Sequence, residues 1–306
     1  MELANYIQRT KGVFTKARYN QIAKKLRTIS KQLKQDVSDN IDVDAVIEYE
    51  LTKQMKILNK AKKYMAGDVE FLYPSLEQVR TSALFKPVTD TLTYDGFLNS
   101  IESGLFEVWD SAVRTGHLTG ITTKDIVRNV MGGVAQNAQV ANIGTIKALR
   151  NSLYANTRTL LQSFASETRN RVYEENDKLF GDTAPDGQVY KYEYLATLDS
   201  RTCLVCAESA HLYKELRDIP QLPQHRNCRC TIVPYFNIDN DVKASKDGYV
   251  KADITFNDWL EEQDSKTQLE ILGRSRYNLY KSGVPVTSFV DNGRVLTLDE
   301  LNETLD

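Results

Sequence analysis

Four cysteines and His225, all between positions 203 and 230, carry the strongest chemical signal in this 306-residue chain. Cys203-Leu204-Val205-Cys206 is followed, after eighteen residues, by His225-Arg226-Asn227-Cys228-Arg229-Cys230. Two ligands spaced two residues apart on a tight turn can point at one ion, and a second such pair completes a tetrahedron. Zinc takes thiolate and imidazole ligands, and four of them close a structural site. Five candidates, Cys203, Cys206, His225, Cys228 and Cys230, compete for four positions. Spacing favours His225 with Cys228 as the second pair. An extended backbone would instead put Cys228 and Cys230 on one face, with Arg229 opposite, giving a four-cysteine site with His225 beside it. The competing account is a set of small buried thiols holding no ion. Disulfides rank below both readings, because a reducing cytoplasm keeps thiols reduced.

Catalysis is not expected from these residues. A catalytic zinc needs an open coordination position and a nearby base, whereas here the protein ligands suffice to close the site. Neither H-E-x-x-H nor a phosphate-cradling G-x-x-x-x-G-K-[ST] loop occurs. Asp199 and Arg201 are an acid and a base side by side, read most simply as a salt bridge or turn hydrogen bonds ahead of Cys203. His117, following Gly116, reads as a surface or capping residue, and no cofactor-binding residue other than the metal candidates stands out.

The elements that would position these residues fall into two parts. Helical periodicity dominates up to about position 180. Ile22, Leu26, Ile29, Leu33 and Val37 form one stripe, and Val43, Ile47, Leu51, Leu58 and Met65 a second. Ser75 and Gln78 have capping-box spacing ahead of a short helix that stops near Pro87, and Thr122 with Asp125 repeats that spacing before Ile126–Met131. Phe97 to Ala112 is a further amphipathic helix ending at Gly116. From Thr145 to Leu179 there is no proline or glycine, so a long helix or a broken pair is expected. Past Gly181 the character changes. Val189 to Leu195 and Thr231 to Tyr235 are rich in aromatic and β-branched residues and read as strands. A helix around Trp259 to Tyr280 and a hairpin turn at Asp291-Asn292-Gly293 complete the pattern. The expected fold class is an α-helical N-terminal region, 1–180, followed by a smaller α+β C-terminal module, 181–306, built around the Cys/His zinc site.

Charge is unevenly spread. The net charge is only −2, yet from Arg9 to Lys34 nearly every charged residue is basic. A basic terminal segment suits nucleic acid or an acidic protein wall, which makes Lys16, Arg18, Lys24, Lys25, Arg27, Lys31 and Lys34 candidate nucleic-acid contacts. A solvated helix face is the plainer alternative. No continuous apolar stretch lies between Met1 and Lys16, and no run reaches the roughly 20 apolar residues of a membrane helix. Synthesis in a reducing cytoplasm, without a leader or membrane partner, is therefore expected.

The run Tyr194-Leu195-Ala196-Thr197-Leu198-Asp199-Ser200-Arg201-Thr202-Cys203, with the C-x-x-C and the downstream H-x-x-C-R-C, resembles the phage Mu F-like minor head proteins, or head morphogenesis proteins. Pro220 and Pro223 match the proline-rich step before the family's histidine. Phe256-Asn257-Asp258-Trp259-Leu260, Leu272-Gly273-Arg274-Ser275-Arg276, Ser282-Gly283 and Leu296-Thr297-Leu298-Asp299-Glu300-Leu301 resemble the family's C-terminal tail. Glu208-Ser209-Ala210 departs from the Asp-Gly that relatives often carry there. The resemblance spans roughly residues 150 to 301. It implies a low-copy structural protein of a tailed bacteriophage virion, at the portal vertex or capsid interior. Its implied partners are the portal protein, the major capsid protein and packaged DNA, and its implied roles are head assembly and DNA packaging or delivery. The alternatives are a toxin-like phage enzyme and a zinc-dependent nucleic-acid-binding protein.

Overall fold

The computed structural model describes residues 16–88, 93–118, 133–134, 141–142, 145–238, 242–245, 248–291 and 293–305. Helices α1 (Lys16–Asn40), α2 (Val43–Ala61), α3 (Leu76–Phe85) and α4 (Tyr94–Leu118) come first, then a short β1 (Gly133–Val134) and β2 (Ala141–Asn142) pair, and then the long α5 (Thr145–Asn176). The rest is smaller and mixed: β3 (Asp182–Thr183), β4 (Val189–Tyr190), β5 (Tyr192–Leu195), α6 (Leu204–Glu208), β6 (Leu212–Tyr213), β7 (Thr231–Pro234), β8 (Val242–Ser245), β9 (Gly248–Lys251), α7 (Phe256–Glu261), α8 (Ser265–Lys281), β10 (Val290–Asp291), β11 (Arg294–Val295) and α9 (Leu298–Leu305). The fold class is the expected one, a helical N-terminal region and a smaller α+β C-terminal region holding the Cys/His cluster. The Thr122–Asp125 capping box and its helix lie outside the described residues. Among the described residues, no helix is long and apolar enough to cross a membrane.

Two compact units divide the chain. One comprises residues 1–43 and 84–161, the other 44–83 and 162–306. In the first, α1 packs along α4. Ala23, Leu26 and Ser30 are buried on α1, while Phe97, Leu98 and Ile101 are buried on α4. The apolar stripe of α1 is therefore turned relative to the sequence expectation. Leu26 is inside, but Ile29 is exposed and Ser30 takes the core position. Local periodicity tolerates such a rotation of a fraction of a turn, and the partner helix decides it.

The second unit carries the site. The three-stranded antiparallel sheet runs β6-β5-β7, with Tyr194 opposite Ile232 and Leu195 opposite Thr231. Tyr192, Tyr194 and Ile232 point into a core with Leu58, Phe71, Val172, Tyr173 and Phe180. Helix α5 also occupies the outer edge of β7. The Tyr173 hydroxyl lies 3.3 Å from the Ile232 carbonyl, and Gln162 Nε2 donates to the Cys230 carbonyl at 2.9 Å. An edge strand presents unpaired backbone groups, and here helix side chains satisfy them. A second cluster, Leu198, Leu204, Trp259, Leu260, Leu272, Phe289, Leu296 and Leu301, packs the C-terminal elements against the other side of the site.

Local chemistry sets several boundaries. Ser75 and Gln78 form the expected reciprocal cap, at 2.8 and 3.3 Å. The single helix expected around 259–280 is instead broken twice, before α8 and again within it at Gly273, whose φ of 68° is not helical. Thr255 and Asp258 form a capping box on α7, and Asp264 accepts from the Thr267 N–H to start α8 afresh. The β10–β11 hairpin is as expected, pairing Val290 with Val295.

Candidate metal centre

Three pieces of chain build the site. The first is the turn leaving β5. The Asp199 N–H bonds the Thr197 carbonyl at 3.0 Å, the Thr202 N–H bonds the Asp199 carbonyl at 3.1 Å, and the Thr202 hydroxyl also donates to Thr197. This compact turn delivers Cys203 to the N-cap of α6, where its sulfur accepts the Cys206 N–H at 3.4 Å. One short helical turn then sets Cys206 beside Cys203. The second piece is the turn His225–Cys228, closed by the Cys228 N–H on the His225 carbonyl at 3.1 Å. Asn227 sits there at φ 62°, a left-handed conformation that asparagine tolerates better than most residues. The third is the run into β7, where Cys228 and Cys230 are both buried and Arg229 lies between them, more exposed.

All five sequence-predicted ligands come together. His225 Nε2 lies 3.2 Å from Cys203 Sγ and 3.1 Å from Cys206 Sγ, and Cys206 Sγ lies 3.9 Å from Cys228 Sγ. Cys203, Cys206 and His225 form one triad with donor atoms within 4.8 Å of each other, and Cys206, Cys228 and Cys230 form another. A tetrahedral zinc with the usual bond lengths has S···S edges of roughly 3.8 Å and S···N edges of roughly 3.5 Å, so the spacing fits an ion with small adjustments. It does not fit disulfides, whose sulfurs sit about 2.05 Å apart, and all four thiols are free. The centre can hold a metal ion.

The imidazole is oriented for that task. His225 Nδ1 lies 2.9 Å from the Arg226 carbonyl, which holds the proton on Nδ1 and aims Nε2 at the sulfurs. The hydrogen bond from Cys206, with a further one from His225, draws the Cys203 thiol down to about 4. His225 is pushed up to about 11 by its hydrogen bonds with Cys203 and Cys228, which outweigh burial. Ligands must shed protons to bind a cation; Cys203 is inclined toward thiolate, whereas Cys206, pushed up by its hydrogen bonds to Cys203 and Cys228, and His225 must release theirs as the ion enters. Tyr194, beneath the centre, is held well above the ordinary phenol range by burial and then by the nearby Cys230 and Cys206. Its oxygen accepts from Gln224 Nε2 at 2.8 Å, leaving its own proton for Cys230.

Asp199 has a role that sequence reading missed. Its expected partner, Arg201, is mostly exposed, with its guanidinium 3.5 Å away, although the Arg201 N–H does bond the carboxylate at 2.9 Å. The dominant partner is Arg229, which grips both carboxylate oxygens at 2.7 Å. Burial acts to raise the Asp199 pKa, but the Arg229 and Arg201 hydrogen bonds outweigh it and hold the carboxyl below its usual range. Arg229 was legible only as the residue facing away from two cysteines. Nothing in a sequence pairs it with a carboxylate thirty positions earlier.

The candidate nucleic-acid contacts lie on α1 in the other unit. Lys24, Lys25, Arg27 and Lys31 are exposed. Lys34 is drawn into α4, where its ammonium meets Asn99 at 2.9 Å and Glu102 at 3.2 Å. The Arg27 guanidinium lies 4.6 Å from the centre of the Phe106 ring. Lys16 and Arg18 belong to the same helix. Comparison with protein-family models, curated proteins and solved structures gives no match to this chain.

Proposed function

We propose that this chain is a minor head protein of a tailed bacteriophage, associated with the portal vertex or capsid interior, in which a zinc ion organises the C-terminal module. One observation carries the reading. The residues on which the resemblance to Mu F-like head proteins rests, Leu198 to Cys206 and His225 to Cys230, are the residues that converge into one centre. They behave as a coherent structural device: a turn, two ligand-bearing knuckles and a strand docked on α5. Thiolate-rich donors favour zinc over hard cations, and enough protein donors surround the centre to close it. A closed zinc site contributes folding free energy rather than reactivity, which suits an assembly component better than an enzyme.

The exposed cations Lys24, Lys25, Arg27 and Lys31 give the helical part a surface for packaged DNA, while the amphipathic helices suit packing against portal or major capsid protein. Mass spectrometry of purified virions tests the proposal. The protein should be present at low copy, with cross-links to the portal or inner capsid wall. Its absence from particles, with the protein remaining in the host cytoplasm after assembly, would overturn the reading.

A further inference from the structure

The two ligand-bearing turns are tied together by one ion pair that is not itself part of the donor set. Asp199 is buried and begins the turn that ends at Cys203; backbone bonds with Thr197 and Thr202 fix its main chain, and the Arg201 N–H bonds its carboxylate at 2.9 Å, which ties the carboxylate to the first knuckle. Arg229 sits between Cys228 and Cys230, and its guanidinium extends to the opposite side of that strand to take both Asp199 oxygens at 2.7 Å. A bidentate guanidinium–carboxylate contact fixes orientation as well as distance. Beside the backbone ladder of β5 and β7 and the Gln224 amide, which bonds Tyr194 at 2.8 Å and Ser209 at 2.9 Å, this contact helps set how far Cys203 stands from Cys228. We propose that Asp199 and Arg229 form a positioning latch that holds the two halves of the metal centre in register before the ion arrives, and thereby sets its metal affinity.

The inference rests on the metal centre proposed above and adds to it the residues that tune it. A merely structural ion pair would stabilise the folded chain equally with and without metal, and would leave the dissociation constant unchanged. A latch acts differently. Without it the two knuckles must be brought together at the expense of binding, and outer partners that orient ligands typically change metal affinity by about 10–100-fold.

The test uses the full chain, purified without chelator or histidine tag, stripped of metal under reducing conditions and titrated with Zn²⁺ against a chelating dye, with Co²⁺ as a spectroscopic probe. Asp199→Asn preserves shape and removes the charge. Arg229→Lys preserves the charge and removes the fork. Arg201→Ala is the control, since its guanidinium is exposed and 3.5 Å from the carboxylate. Asp199→Asn and Arg229→Lys should weaken Zn²⁺ binding by roughly 10–100-fold while the Co²⁺ bands still report a four-coordinate, thiolate-rich site. Arg201→Ala should bind like the parent chain. If Asp199→Asn folds poorly, Arg229→Lys alone decides. Parental affinity in the variants, with only a lower melting temperature, would overturn the latch and leave the metal centre standing. A parent chain that binds neither Zn²⁺ nor Co²⁺ would overturn both.

Discussion

Removing one partner of the buried Arg169–Glu50 pair should be among the most destabilising single changes in the unit that carries the cluster. Arg169 Nε and Glu50 Oε1 are 2.8 Å apart, and their side chains are only 5% and 4% exposed. Gln54 donates to the same carboxylate oxygen at 2.7 Å, Tyr173 donates to Gln54 at 2.9 Å, and Arg169 also donates to the Thr231 hydroxyl on β7. The network joins α2, α5 and the strand that leads out of the metal centre. Glu50→Gln is nearly isosteric but leaves the guanidinium buried without its counter-charge. Breaking such a pair costs about 3–5 kcal/mol. A unit of this size shifts by about 2–4 °C per kcal/mol, so thermal unfolding should fall by roughly 6–20 °C. Replacing both partners by apolar residues of similar volume, Glu50→Leu with Arg169→Met, should recover much of that loss, because the uncompensated charge is gone. Circular dichroism and calorimetry on Glu50→Gln, Glu50→Leu, Arg169→Met and the double variant measure this directly. A loss below about 1 kcal/mol for Glu50→Gln, the value of an exposed pair, or a double variant as unstable as the sum of the singles, would refute the reasoning.

Two further outcomes are expected. Asp177 accepts from Lys191 Nζ at 2.6 Å and the Tyr192 hydroxyl at 2.7 Å, and although burial acts to raise its pKa, these bonds hold it below the usual value. Its stabilising contribution is therefore fully present above the unfolded carboxylate pKa of about 3.9 and lost as pH falls through the lower folded value. The stability gap between the parent chain and Asp177→Asn, followed by urea unfolding from neutral pH downward, should narrow in that window, and a gap independent of pH would contradict it. On α1, the triple change Lys24→Glu, Arg27→Glu and Lys31→Glu should weaken binding to duplex DNA of any sequence and flatten its salt dependence by about one unit of slope for each lost phosphate contact. Unchanged salt dependence would make this surface a solvated helix face.

Much of the fold can be read from local signals, and what escapes is non-local. The proline- and glycine-free run from 145 became α5 because nothing in it interrupts a helix, and Ser75 capped α3 because its reciprocal bond with Gln78 spans only three residues. The five donors were legible because ligand chemistry confines residue type and spacing. The inward turn of Ser30, the burial of Glu50 and Gln54 on a helix whose apolar residues advertised only part of its face, and the pairing of Lys34 with Glu102 depend on which surface arrives from elsewhere in the chain. The break at Asp264 was hidden because apolar spacing continues through it, while the cap that restarts α8 is a single polar side chain. The Asp199–Arg229 contact belongs to the same class. Its two ends are thirty residues apart, whereas the Asp199–Arg201 contact expected from their nearness is present but looser, at 3.5 Å.

The central claim is that Cys203, Cys206, His225, Cys228 and Cys230 enclose one structural metal ion. Native mass spectrometry with elemental analysis of untagged, chelator-free protein measures it most directly. The predicted result is one zinc per chain, lost in Cys203→Ser and Cys206→Ser together with much of the stability of the surrounding module. A metal-free chain whose four thiols react freely, and whose melting is indifferent to added zinc or chelator, would contradict it.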